Sequence, residues 1–481
     1  MTQSANAPQD TQTPLVVDVD QTLLRSDLLL ESFWTALGKD AWAALKTVYR
    51  NIGSRARLKH ELAQLSDLDV GRVPVNEAVL ERVRQAQSEG REVVLASGSD
   101  RKLVHRVAAR FGIEGQHIGS TPERNLTGST KSAALIDRFG VNGFDYIGDA
   151  PIDLKVWKDA RQAVAVAPSP AILKGLETIG KTPEILPGGW RFKHLAKALR
   201  PHQWVKNVLL LLPFIASHPK GIVGLDLVLF AMISFSFAAS SIYVVNDLLD
   251  LDADRQHEKK HTRPFAAGTV PIRIGMLVSL GLGLTALLIS ILISWKMFGI
   301  IAIYMSLSLA YSIKLKSMRW VDIWVLGTLY TLRVVAGAVA ASVAASGWLI
   351  AFVFPVFMSL GCVKRLTEVA RAKSRRRVPG RAYAKRDRVD LLNMSVMAAL
   401  FANIIFLTYT YSETAYELYA GIWELRWVVI PITAWMVRMI STGWAGSQDY
   451  DPIVFAVRDR TGLILSIIVV LGLFNAAAWT Q

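Results

Sequence analysis

The chain has 481 residues, 52% of them hydrophobic, and 54 Lys+Arg against 39 Asp+Glu give a formal net charge of +15. More than one domain is expected at this length, and the single cysteine, Cys362, excludes an intrachain disulfide. The charge admits nucleic acid, an anionic membrane surface or acidic substrates, and the long apolar runs below favour the membrane over nucleic acid.

Residues 1–13 form a polar tail. Met1 to Pro14 carries no basic start followed by an apolar core, so no secretory signal is expected and the next domain should stay in the cytoplasm. Residues 14–180 read as a soluble α/β domain. Short β-rich runs at Leu15–Asp20, Glu92–Ser97, Phe144–Gly148 and Ala163–Ala167 alternate with helical patterns, which implies a parallel sheet with helices on both faces. Active residues of such sheets sit at the carboxyl ends of strands. The mostly helical stretch from Ser26 to about Gln87 is placed to cap such a site.

A linker with Pro183, Pro187, Gly188 and Gly189 covers about 181–197, and the pattern then changes. Residues 198–481 hold nine apolar runs, at 205–218, 222–245, 275–295, 297–313, 321–341, 347–363, 391–411, 427–443 and 462–479. Several approach the roughly 20 residues a membrane helix needs. The first is short and the fourth marginal, so eight spans remain an alternative to nine. With Met1 cytoplasmic, the basic residues concentrate in the cytoplasmic loops: Arg255 to Arg273, Lys314 to Arg319, Lys364 to Arg388, and Arg458 with Arg460. The opposite loops hold mainly Lys220, Lys296 and Arg426, which matches the positive-inside rule. A multi-pass protein of a bacterial-type inner membrane is expected, with its active loops cytoplasmic and Gln481 on the far side. Trp204, Trp295, Trp320, Trp348 and Trp427 fall near span ends, as interfacial anchors do.

Chemistry enters the soluble half at Asp18-Val19-Asp20-Gln21-Thr22, two carboxylates just past an apolar strand. A loop there can aim one as nucleophile and the other as general acid/base. Ser97 ends a second strand, Lys131 lies in a helical segment, and Gly148-Asp149-Ala150-Pro151-Ile152-Asp153 ends another strand with two more carboxylates. A lone DxD is most simply a surface turn. Four such elements can build one acidic pocket for Mg²⁺ and a phosphate.

This ordered set resembles the haloacid-dehalogenase (HAD) superfamily, with its DxDGT and GDxxxD motifs, over about residues 14–172. The resemblance implies that Asp18 forms an aspartyl-phosphate and that Asp20 protonates the leaving group and activates water. It further implies that Ser97 and Lys131 hold the phosphoryl group. Asp18, Asp20 (through its carbonyl), Asp149 and Asp153 would hold Mg²⁺. Gln21 stands where the family has Gly, which puts the loop geometry beside the nucleophile in question.

In the apolar half, Asn246-Asp247-Leu248-Leu249-Asp250 leads to Asp254, so Asp247, Asp250 and Asp254 stand at i, i+3 and i+7 on one helical face. Crowded carboxylates repel and call for divalent cations, and hard oxygen ligands suit Mg²⁺, which bridges diphosphate oxygens. Lys260 and Arg263 come next and can pair with the same anion; Asp252 points elsewhere.

NDxxDxxxD here resembles the first aspartate-rich motif of the UbiA prenyltransferase superfamily, over about residues 195–480. The resemblance implies an all-α membrane fold, an isoprenoid lipid and a diphosphate-bearing substrate. Leu199 to Asn207, Asp254 to Pro264, and Tyr311-Ser312 with Lys314 and Lys316 resemble the decaprenyl-phosphate phosphoribosyltransferase branch. In that branch the diphosphate belongs to phosphoribosyl pyrophosphate. Where many UbiA enzymes carry a later DxxxD, this chain has Asp322 alone, with Arg333 in the same helix. One carboxylate with basic residues suits one sugar diphosphate and one lipid phosphate. Asn207 and Lys206 are further phosphate candidates, although Lys206 reads equally well as a snorkelling interfacial lysine. Lys364 and Arg365, at a span end, are placed to contact the lipid phosphate. The run Arg371–Arg377 reads as topology and anionic-lipid contact. The function expected is transfer of 5-phosphoribose to a polyprenyl phosphate, followed by removal of the 5-phosphate. The alternative is transfer of an isoprenoid from its diphosphate to an aromatic or other acceptor.

Overall fold

The structure is a computed structural model that describes residues 13–217, 222–343, 346–372, 382–448 and 451–477. Lys220, Gln481 and the basic run 373–377 lie outside the described residues. The chain divides into two compact units, one of residues up to 199 with 244–278 and one of 200–243 with residues from 279 onward.

The first unit is built on a six-stranded sheet: β1 (Leu15–Val17), β2 (Val93–Asp100), β3 (Ile118–Ser120), β4 (Asp145–Gly148), β5 (Ala163–Val166) and β6 (Glu184–Leu186). The order is β3-β2-β1-β4-β5-β6, and every neighbouring pair is parallel. Strand alternation sorts the side chains. Leu15, Val17, Leu95 and Ile147 join the apolar cluster on one face, while Val16, Val94, Ala96 and Tyr146 join that on the other. Both faces are covered, which is why these strands read as unbroken apolar runs. The edge strands β3 and β6 escaped the sequence reading, because their three residues, Ile118-Gly119-Ser120 and Glu184-Ile185-Leu186, lack the unbroken apolar run of β1. β2 also runs three residues past Ser97.

The chain winds outward from β1 through β2 to β3, then returns to β4 on the other side of β1. The crevice beyond the carboxyl ends of β1 and β4 is thus the topological switch point, where such sheets bind ligands. Helices α1 (Leu28–Lys39), α2 (Ala41–Arg50) and α3 (Arg55–Ser66) fill the expected capping stretch. Asp27, Asp40 and Ser54 cap their N-termini by accepting from Leu30, Ala43 and Arg57 amides. The apolar face of α1 packs through Trp34 against Val244, Leu248, Leu251 and Phe265, so residues 244–278 belong to this unit's core.

Six helices among the described residues are long and apolar enough to cross a membrane: Leu225–Leu249, Ile272–Ile293, Trp295–Ile313, Val321–Ala340, Gly347–Arg371 and Lys385–Tyr409. Within the second unit, small residues let helices approach closely. A Cβ on Gly337 would lie 2.0 Å from the Leu210 carbonyl oxygen, so only glycine fits there.

Candidate active sites

Three of the expected carboxylates meet at the switch point. Asp18, Asp149 and Asp153 each offer an oxygen within 4.8 Å of the others, in the crevice after β1 and β4. All are hard oxygen donors, a set that suits Mg²⁺. Lys131, from the helix Ser129–Phe139, lies 3.0 Å from Asp18 and 3.7 Å from Asp153. Its ammonium also donates to the Tyr146 hydroxyl (2.8 Å), which in turn donates to Asp153 (2.9 Å).

Burial pushes the Asp18 carboxyl well up, with Lys131 pulling it back and Asp153 adding repulsion. Burial likewise lifts Asp149 to about 7, against a hydrogen bond from Thr22. Burial alone would lower Lys131, but the Asp18 and Asp153 charges outweigh it and hold the ammonium up. Burial and crowding both disfavour the ionised carboxylates here, and a bound cation would favour them.

Gln21 takes φ 58°, the left-handed conformation that glycine adopts without strain. The turn that a glycine would make is kept, at a cost of roughly 1–2 kcal/mol. Asp20 is held by three donors: the Leu28 amide (2.7 Å) and the hydroxyls of Ser97 and Ser99 (2.7 Å each). Ser97 is fully buried, whereas Ser99, two residues further along the same strand face, lines the cavity. From the cap, Lys59 lines the same cavity and donates to the Gly98 carbonyl (2.5 Å) and to Asn125 (2.8 Å). Burial lowers its pKa. Sequence reasoning missed Lys59, Ser99, Tyr146 and Thr22. Ser99 was signalled by its i+2 spacing from Ser97 and Thr22 by its place in the first motif; Lys59 had no local signal.

The aspartate-rich segment also lies in the first unit. The helix Leu225–Leu249 ends at Asp250, which opens the short helix Leu251–Gln256, so the three aspartates do not share one continuous helix. Asp247 and Asp254 are buried, and both accept from the same Arg263 guanidinium nitrogen, at 3.1 and 2.6 Å. Two carboxylates thus converge on one point of positive charge. Asn246 donates to Asp250 at 3.3 Å, and Lys260 lies half-buried in the next turn. Burial raises the Asp254 pKa, opposed by Arg263. Asp252 faces away and pairs with Arg72. Arg255 makes a buried ion pair with Glu31 of α1, at 2.6 Å.

The second unit holds two polar clusters between its helices. In one, Arg333 donates to Asn207 (3.1 Å), the Leu329 carbonyl (2.7 Å) and the Tyr304 hydroxyl (3.0 Å). Lys206 is ion-paired with Asp451, a residue that sequence reasoning did not single out, 245 positions away. Lys364 is half-buried in the helix Gly347–Arg371. In the other cluster, fully buried Asp322 accepts from Arg365 at 2.5 and 2.9 Å and from the Tyr311 hydroxyl at 2.8 Å. Arg365 also reaches Glu368 at 2.6 Å. Lys314 and Lys316 stand at the turn after the helix Trp295–Ile313.

A helical membrane half with buried charge clusters, joined to an α/β half with convergent strand-end carboxylates, defines a membrane-bound enzyme. The chain belongs to the UbiA prenyltransferase family, whose signature matches residues 207–455. The y4nM protein of Sinorhizobium fredii is 31% identical over 466 residues, covering 96% of this chain and 90% of that one. A decaprenyl-phosphate phosphoribosyltransferase of Mycobacterium tuberculosis is 31% identical over 294 residues, 57% of this chain and 90% of that protein. Among solved structures, a phospho-aspartyl intermediate analogue of phosphoserine phosphatase matches 36% of this chain and 93% of its own, with 16% identity and a TM-score of 0.27.

Proposed function

We propose that the membrane half moves 5-phosphoribose from phosphoribosyl pyrophosphate to a polyprenyl phosphate, and that the α/β half then removes the 5-phosphate from the lipid product. The observation that carries the first step is the 31% identity to a decaprenyl-phosphate phosphoribosyltransferase across the membrane half. In that step the lipid phosphate oxygen bonds to ribose C1, the C1–oxygen bond to diphosphate breaks, and diphosphate leaves. Asp247, Asp250 and Asp254, with Asn246, Lys260 and Arg263, bind the diphosphate end. Lys206, Asn207, Arg333, Lys364 and the Tyr311–Asp322–Arg365 cluster serve the lipid phosphate and sugar, as do Lys314 and Lys316.

In the second step an Asp18 oxygen bonds to phosphorus and the phosphorus–O5 bond breaks. Asp20 supplies the proton to O5 and then takes one from water, whose oxygen bonds to phosphorus as the Asp18–phosphorus bond breaks, so that inorganic phosphate leaves and both aspartates are restored. Lys131 and the Ser97–Ser99 strand end hold the phosphoryl oxygens. Mg²⁺, held by Asp18, Asp149 and Asp153 and by the aspartate-rich segment, would supply charge neutralisation of phosphate oxygens. Fusion raises the local concentration of phosphatase near its lipid substrate.

We also take the chain to cross a bacterial-type inner membrane nine times with the N-terminal half cytoplasmic. Beyond the six long helices, Pro201–Ala216, Val429–Trp444 and Arg460–Ala476 would complete the count. Ten 3₁₀ residues and six α residues span about 29 Å, close to the bilayer core.

The test is a membrane assay with labelled phosphoribosyl pyrophosphate, polyprenyl phosphate and Mg²⁺, on wild type and Asp18→Asn. Labelled lipid that keeps its 5-phosphate only in Asp18→Asn is expected. Folded protein that makes no labelled lipid from any polyprenyl phosphate would sink this reading. Transfer of an isoprenoid to an aromatic acceptor, which the family's name favours, would then replace it.

A further inference from the structure

We propose that Arg25 and Arg273 form a second phosphate subsite of the Asp18 cavity. The site would then take a molecule with a phosphomonoester at one end and, at the other, a phosphodiester carrying an apolar chain. This deepens the phosphatase reading above and rests on it.

The cavity, about 550 Å³, is not lined by the α/β domain alone. Gly268, Pro271, Arg273 and Ile274, from the segment after the aspartate-rich motif, form part of its wall. That segment is seated by a backbone approach only glycine permits. Gly268 has φ +64°, and a Cβ there would lie 2.7 Å from Pro74 and 2.8 Å from the Arg25 Cβ. The segment leading to Arg273 is thereby packed against Arg25 at Gly268, and both arginines line the cavity.

Arg25 and Arg273 are both exposed, and neither makes an ion pair or side-chain hydrogen bond among the described residues. Arg255 and Arg263 of the same segment, by contrast, are both paired with carboxylates. Two unpaired guanidinium groups lining one cavity suit a phosphate, which accepts bidentate bonds from arginine. They are not needed at the reacting phosphorus, where Lys131 already lies 3.0 Å from Asp18. Leu29, Leu30, Pro271 and Ile274 line the same cavity, and Ile274 lies in the first turns of a helix long and apolar enough to cross a membrane. The charge pattern therefore asks for two phosphates, and the apolar lining for a chain attached to the second.

The experiment uses the full-length protein in detergent with Mg²⁺. The probes are ribose 5-phosphate, ribose 1,5-bisphosphate and a 5-phosphoribosyl polyprenyl phosphate. The readout is the ratio of kcat/KM for each two-phosphate probe to that for ribose 5-phosphate. Arg273→Gln and Arg25→Gln should each lower that ratio about 10- to 100-fold, as loss of a charged hydrogen bond does, and Arg273→Lys should recover part of it. Gly268→Val, which displaces the wall, should move the ratio the same way. An unchanged ratio with release still abolished by Asp18→Asn overturns the subsite and leaves the phosphatase reading standing. An effect confined to ribose 1,5-bisphosphate overturns the lipid-linked substrate. Release from no probe, or release that survives Asp18→Asn, overturns the phosphatase reading itself.

Discussion

Asp145 opens β4, at the end of the sheet opposite the carboxylate cluster, so its substitution separates stability from chemistry. Its side chain is 1% exposed and accepts from Arg91 at 2.5 Å and from Arg161 at 2.9 and 2.8 Å. Burial alone would raise this carboxyl, but the Arg161 and Arg91 hydrogen bonds outweigh it and hold its pKa below the ordinary value. Asp145→Asn leaves two guanidinium groups facing a neutral amide, one of them nearly fully buried. Breaking a buried pair in this way costs about 3–5 kcal/mol. In hydrogen-exchange mass spectrometry of the full-length protein, amides of β1 and β4 that exchange by unfolding of this unit should exchange about 10²- to 10⁴-fold faster. The pH dependence has a definite sign. A carboxylate with a depressed folded pKa contributes fully above the unfolded value of about 3.9, and that contribution is lost as pH falls through the folded value. Wild-type protection should therefore fall in that acid window, and Asp145→Asn should lack this component. Exchange within threefold of wild type at neutral pH would refute the reasoning.

Gln21→Gly relieves left-handed strain of roughly 1–2 kcal/mol but frees the unfolded chain by up to about 1 kcal/mol. Stability of the first unit should rise by about 0–2 kcal/mol in the same exchange experiment; a loss beyond about 1 kcal/mol would contradict it. Asp322→Asn leaves fully buried Arg365 with Glu368 as its remaining carboxylate partner and should cost about 1–3 kcal/mol of stability. It should be visible as a lower melting temperature in detergent, and Asp322→Leu with Arg365→Met should recover more than half of the loss. A double variant as damaged as the sum of its parts would show the pair is not coupled. Chelation with EDTA should stop both lipid labelling and phosphate release, each by at least about 10²-fold, with recovery on adding Mg²⁺. Phosphate release that persists without divalent ions would count against metal binding by Asp18, Asp149 and Asp153.

Much of this protein is legible in one dimension. Apolar runs mark membrane helices because the bilayer rewards a fixed length of continuous apolarity. The six long helices fall on runs visible in the sequence. The central strands were legible because burial on both faces makes them apolar throughout. Asp18, Asp149 and Asp153 were legible because a strand fixes the position of the residues just past its carboxyl end, and parallel strands bring such ends together. Even the departure at Gln21 was visible, although only the backbone shows that the chain keeps the left-handed turn.

The tertiary structure decided what short-range pattern cannot encode. Lys59 reaches the cavity only because the cap folds over the sheet, and Lys206 meets Asp451 only because 245 intervening residues return to it. The i, i+3, i+7 spacing of Asp247, Asp250 and Asp254 presumed one helix. The chain breaks it at Asp250, and Arg263 then gathers Asp247 and Asp254. The wall formed by Gly268 and Arg273 had no motif at all, since it depends on a backbone approach between distant segments. Hydrophobic periodicity acts between residues a few positions apart and can be read from the sequence. Buried charges must find partners wherever the fold places them, and that placement is set by packing of the whole unit.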